Sequence, residues 1–206
     1  MKSERIGKYL IEVEQDNDPQ DPRGDDNLGT MVCFHRNYNL GDKHDYDKST
    51  FDNWKEIEEH LTKEHDVCVI LPLYLYDHSG ITMNTTGFNY QWDSMKVGFI
   101  YISKEKVRKE YNVKRINKKL KERITDYLIG EVSTYDQFLT GDVYGYSIYE
   151  IKVCELGHEH KIDKDSCWGF YGEDECMKEA KSIVKYYLES DNKIEVKEEE
   201  EVLTTV

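Results

Sequence analysis

Tyr9-Leu10-Ile11-Glu12-Val13 alternates with the period of two that sets one face of a strand against a core. It runs into residues 16 to 26, which hold two of the three prolines and five aspartates and read as a loop. Gly29 to His35 returns as a second strand, and Arg36 to Lys48 is too rich in Asn, Asp and Gly to be regular. Phe51, Trp54, Ile57 and Leu61 then recur at three- and four-residue spacing, which predicts a helix capped by Ser49 or Thr50 and ending near His65. Val67 to Leu71 reads as a strand buried on both faces and continues through Leu73 to Tyr76. Pro72, with no amide to donate, predicts a bulge or an edge there. Met95 to Ser103 supplies another central strand.

Ser103 can cap a short helix to about Tyr111. Ile116, Leu120, Ile124, Tyr127, Leu128, Val132, Tyr135 and Phe138 form a stripe that predicts a longer helix from Val113 to Leu139, stopped by Thr140-Gly141. Tyr144 to Val153 and Lys161 to Trp168 read as a hairpin turning at Leu156 to Glu159. A last helix from Glu173 to Leu188 carries Met177, Ala180, Val184 and Tyr187 inward, and residues 189 to 206, with seven acids, two bases and no stripe, read as an acidic flexible tail. The order of elements predicts an α+β fold, a mostly antiparallel sheet packed by three to four helices in a single domain over residues 1 to 188.

Charge changes this picture by being uneven. The net value is −14, yet ten Lys or Arg fall between residues 104 and 123, so a basic element is set in an acidic body. The longest apolar run, Val67 to Tyr76, is of strand length, and Met1 to Lys8 has no apolar block with a cleavage site; both predict a cytoplasmic protein without membrane contact. Five cysteines with no C-x-x-C pair argue against a disulfide framework or ribbon-type zinc site, and Cys33 and Cys68 read as buried small hydrophobes. There is no Walker-type phosphate loop, no G-x-G-x-x-G and no G-x-S-x-G elbow, which disfavours familiar NTPase, dehydrogenase and hydrolase chemistry. No cofactor is implied.

His35 ends one predicted strand and Asp77-His78 end another, so neighbouring strands would bring the three together, with Asp93 a fourth candidate. Such a group can bind a metal or exchange protons. Strand-end His and Asp residues more often cap turns, which is the preferred reading and leaves the metal assignment at none. Trp92, Trp168 and Tyr171 are candidates for stacking on a base or anchoring a partner. Lys114, Arg115, Lys118 and Lys119 lie off the apolar stripe and could meet phosphates, although the acidic body repels nucleic acid. Cys154, His158, His160 and Cys167 match no standard zinc spacing, and the Asp16 to Asp26 loop lacks the spacing of a calcium loop.

The segments NLGTMVCFHRNYNLGD, LPLYLYDHSGITM, WDSMKVGFIYISKEKVRKEY, YDQFLTGDVYGY and DSCWGFYG resemble those of a protein family encoded by bacteriophages and mobile genetic elements, from Asp25 to Lys181. The resemblance implies a setting and no reaction. Three readings follow. The preferred one is an interaction protein that binds and inhibits a host protein, a nucleic-acid-acting defence system of the kind countered by anti-CRISPR or anti-restriction proteins. The second is a small-molecule, nucleotide-like binder or hydrolase with a His/Asp pocket. The third is a nucleic-acid binder through the basic helix. Oligomeric state is left open, with an exposed edge beside Pro72 as one place a second chain could pair.

Overall fold

The computed structural model describes residues 1 to 89 and 94 to 204, with side chains described as far as Asp191. The fold is α+β, with two four-stranded antiparallel sheets where the sequence predicts one. The chain forms two compact units, Met1–Gln20 with Gly141–Val206 (unit 1), and Asp21–Thr140 (unit 2).

Unit 1 contains β1 (Lys2–Ile6), β2 (Tyr9–Gln15), β7 (Val143–Val153), β8 (Glu159–Tyr171) and α4 (Glu173–Thr204), in sheet order β1-β2-β7-β8. The alternation of β2 works as predicted. Tyr9, Ile11 and Val13 face α4 with Tyr146 and Ile148, closing over Cys176, Met177, Ala180 and Val184. Burial of each large side chain in this layer contributes about 1.5–3 kcal/mol. β1 escapes a sequence reading because Lys2-Ser3-Glu4-Arg5 is an exposed edge whose stability comes from backbone pairing with Leu10 to Val13. The backbone of α4 continues as helix to Thr204, through the stretch that reads as a tail.

Unit 2 contains β3 (Thr30–Cys33), α1 (Trp54–Glu64), β4 (Val67–Asp77), β5 (Ile81–Asn84), β6 (Ser94–Ser103), α2 (Lys104–Glu110) and α3 (Lys118–Thr140), in sheet order β3-β6-β4-β5. It is layered on both faces, which explains the unbroken apolar run of β6. Val32, Phe99 and Tyr101 pack on Ile57 and Leu61 of α1. Met31, Leu73, Leu75, Ile100 and Ile102 pack on Ile124, Leu128, Val132 and Tyr135 of α3. Tyr127, placed on the stripe by spacing, is 54% exposed. The cap of α1 is Asn53, whose side chain accepts the amides of Lys55 and Glu56; Ser49 and Thr50 instead sit in a 3-10 turn capped by Asp47. Pro72 meets the expected edge. β5 pairs only with Tyr74 to Asp77, so Pro72 has β6 on one side alone, with a register shift at Leu73/Tyr74.

One polar cluster fixes the loops of unit 2. The Arg23 side chain, 4% exposed, lies against Asp42 through Nε and Nη2 (2.8 Å each), against Glu131 (3.3 Å) and on the Gly29 carbonyl (2.8 Å). Glu131, 8% exposed, accepts the amides of Leu28 and Gly29, and Asp42 accepts that of Met31. The Tyr135 hydroxyl accepts the Gly41 amide at 2.9 Å.

Burial pushes the Tyr9, Tyr135 and Tyr146 phenols up to about 12. Each therefore contributes stability that is complete below the unfolded phenol value of about 10 and is lost as pH rises through about 12. Unfolding free energy should fall above pH 10 by roughly 1.4 kcal/mol per pH unit for each tyrosine, as read by denaturant titrations from pH 8 to 12, and the Tyr9→Phe variant should show a shallower fall.

Candidate functional site

β3 and β4 both run antiparallel to β6, so they are parallel to each other and end on the same side of unit 2. Cys33 and Leu73 both pair with Gly98, so β3 stops at the level of Leu73, whereas β4 runs four residues further to Asp77, beside the start of β6 at Ser94. Tyr38 links His35, just past β3, to Asp77. Its ring stacks on His35 at 4.8 Å and 17°, and its hydroxyl donates to Asp77 Oδ1 at 3.5 Å. His35 Nδ1 accepts the amides of Asn37 and Tyr38 at 3.2 and 3.3 Å. The ring proton is thereby placed on Nε2, which has no partner among the described residues. His78 lies in the three-residue turn between β4 and β5, where Ser79 and Gly80 take positive φ of 58° and 151°. The turn-capping reading fits His35, whose Nδ1 accepts two turn amides, whereas Asp77 accepts the Tyr38 hydroxyl. Asp93 and Trp92 lie outside the described residues.

Around His35 the segment Cys33 to Ser49 curls into an open groove of about 1210 Å³. Its lining includes His35, Arg36, Tyr38, Lys43, His44 and Lys48, with Asp45 a carboxylate without an ion-pair partner among the described residues and Asp42 already held by Arg23. Burial pushes the Cys33 thiol up to about 12, so it is no nucleophile near neutral pH. His44 Nε2 donates to the Cys33 carbonyl at 2.8 Å, and its Nδ1 is a buried polar atom without a partner among the described residues. Phe34 is packed by His44 and Trp54, and the Trp54 ring carries Lys48 Nζ at 4.1 Å and Lys96 Nζ at 5.8 Å. Burial holds the Lys96 amine below its ordinary value. Arg36, Lys43, Lys48 and Lys96 have no carboxylate in ion-pair range among the described residues. The sequence reading missed this groove because its lining comes from a polar stretch that has no periodicity.

The remaining candidates lie elsewhere. In unit 2, Lys114 and Arg115 are exposed in the turn before α3, and Lys118 and Lys119 are exposed on its first turn, with Lys118 reaching only Glu122 at 3.8 Å. The basic face therefore exists as solvated side chains. In unit 1, Trp168 on β8 is 46% exposed and its indole lies against Gly145 of β7, where a β-carbon would come within 2.2 Å of the ring. Tyr171 ends the same strand, its hydroxyl donating to the Gln20 carbonyl at 3.5 Å. No group of three or more His, Cys, Asp or Glu able to hold a metal occurs among the described residues, the Cys154, His158, His160 and Cys167 set and the Asp16 to Asp26 loop included. No described helix is long and apolar enough to cross a membrane.

Replacing His35 by alanine removes two long turn bonds from a half-exposed site. We expect a stability change below about 1 kcal/mol in urea melts with the fold intact, whereas a larger loss would make His35 a structural residue.

No family of known proteins, no curated protein and no solved structure matches this chain.

Proposed function

We propose that this chain is an interaction protein of a bacteriophage or mobile element that blocks a host protein by occupying its nucleic-acid-binding surface. The observation that carries the reading is the partition of charge between the units. Unit 1 holds 22 acidic against 11 basic residues, while unit 2 holds 20 against 17, so −11 of the net −14 belongs to unit 1 and −3 to unit 2. A unit of that charge is attracted to the basic channels that hold nucleic-acid phosphates, and the attraction raises the rate of encounter before any specific contact forms.

Electrostatics alone gives no specificity, and unit 1 supplies that as well. β8 is a free sheet edge of 13 residues. Trp168 is held flat on Gly145 and needs little ordering on binding, which suits a central anchor. Ile162, 45% exposed on the same strand, and Val153 and Leu156 at the hairpin tip add apolar area. The half-exposed indole and aliphatics among carboxylates match the mixed surface of a protein partner better than a site of chemistry. Trp168→Ala should keep the fold and weaken the complex by at least about tenfold in a pulldown titration. Unchanged retention of the partner would remove Trp168 from the interface.

A further inference from the structure

The groove belongs to unit 2, whereas the proposed inhibition rests on unit 1, and its lining has a chemistry of its own. Three features converge in the segment from Cys33 to Ser49. Arg36 and Lys43 are exposed cations without a carboxylate partner among the described residues, and Lys48 sits on the Trp54 ring at the same groove. Unpaired cations around a concave surface favour an anion, and the guanidinium suits the two oxygens of a phosphate. Tyr38, 37% exposed, presents a flat ring already backed by His35 on its other face, which is a stacking platform whose orientation is set before a ligand arrives.

The third feature is hydrogen-bonding capacity left unused. His44 is committed to the wall of the groove, donating from Nε2 to the Cys33 carbonyl with its Nδ1 sealed from solvent. His35, with Nδ1 committed to two amides, offers a donor at Nε2. A phosphate, a flat ring and an acceptor for His35 are together the parts of one class of molecule.

The geometry points to this groove as a binding site for a nucleoside 5′-phosphate, with the phosphate on Arg36 and Lys43 and the base stacked on Tyr38. The volume of about 1210 Å³ is ample for a ligand of that size. Asp45, the lining carboxylate that Arg23 does not hold, disfavours polyphosphates relative to a single phosphate. The site does not depend on the acidic surface of unit 1.

Titration calorimetry of the full chain with AMP, GMP, CMP and UMP, beside adenosine and inorganic phosphate as the two halves of the ligand, tests this directly. We expect saturable binding of at least one nucleotide below about 1 mM, and at least about tenfold weaker binding of both halves. The double variant Arg36→Ala, Lys43→Ala should weaken the nucleotide by at least about tenfold, and Tyr38→Ala should lower its affinity without altering that of phosphate. All three residues are exposed, so circular dichroism should confirm an unchanged fold. Absence of binding by every nucleotide, equal affinity for phosphate alone, or indifference to the double variant would each overturn the assignment.

Discussion

Replacing Arg23 by alanine should destabilise unit 2 by about 3–5 kcal/mol, the largest effect expected of any single change outside the apolar core. The guanidinium is nearly sealed from water and is the only cation against Glu131 and Asp42 among the described residues. Removing it strands the Glu131 carboxylate at 8% exposure and frees the Gly29 carbonyl. The loss should appear as a lower urea midpoint. Glu131→Gln is a milder change, since an amide oxygen can still accept from Leu28 and Gly29. Because the two residues share one network, the double variant should cost less than the sum of the two singles, by about 0.5–3 kcal/mol. Strict additivity would mean that the Arg23 and Glu131 side chains act independently.

The second large effect is expected at Gly98, where β6 pairs with Cys33 of β3. A β-carbon there would lie 2.0 Å from the Val32 carbonyl oxygen and 2.9 Å from Cys33 Cα, both backbone atoms of the paired strand. No rotamer relieves such a clash, so Gly98→Ala must part the two strands at the register pair Cys33 with Gly98. We expect a loss of about 3 kcal/mol or more and exposure of the Val32 and Phe99 layer, seen as a fall in thermal midpoint with increased binding of a hydrophobic dye. Gly145→Ala is the instructive contrast. The atoms it meets belong to the Trp168 side chain, which can move, so stability should change little while the indole is displaced.

The two glycines show what a sequence can and cannot carry. The strands around them were legible because alternation in Tyr9 to Val13 and the apolar run of Met95 to Ser103 follow from which faces are buried. The reason for a glycine at 98 or 145 was not, since it lies in a neighbour far along the chain. Arg23 was hidden for the same reason: within Asp-Pro-Arg-Gly-Asp-Asp it reads as a solvated loop residue, and its partner Glu131 is 108 residues away. The division into two sheets was also out of reach, because β2 pairs with β7 across the whole of unit 2.

Of the candidate site, the strand-end logic for His35 and Asp77 was legible and depended on a topology that the sequence leaves open. Their strands flank β6 and run parallel, but β4 extends four residues beyond the level of Cys33, so the link passes through Tyr38, a residue with no signal in spacing. The charge partition was present in the sequence throughout. It became visible once the chain was divided at Gln20 and Gly141, since a linear reading registers the basic run at 104 to 123 and averages the rest.

The central claim is that unit 1 stands in for nucleic acid on a basic protein surface. The most direct measurement is competition: the tagged chain is held with a stoichiometric protein partner from the bacterial host, then challenged with excess duplex DNA and with rising salt. The account predicts release by DNA and by salt near about 0.5 M, with the Trp168→Ala chain releasing at lower concentrations of both. A partner that stays bound in excess DNA, or the absence of any stoichiometric partner, would contradict it.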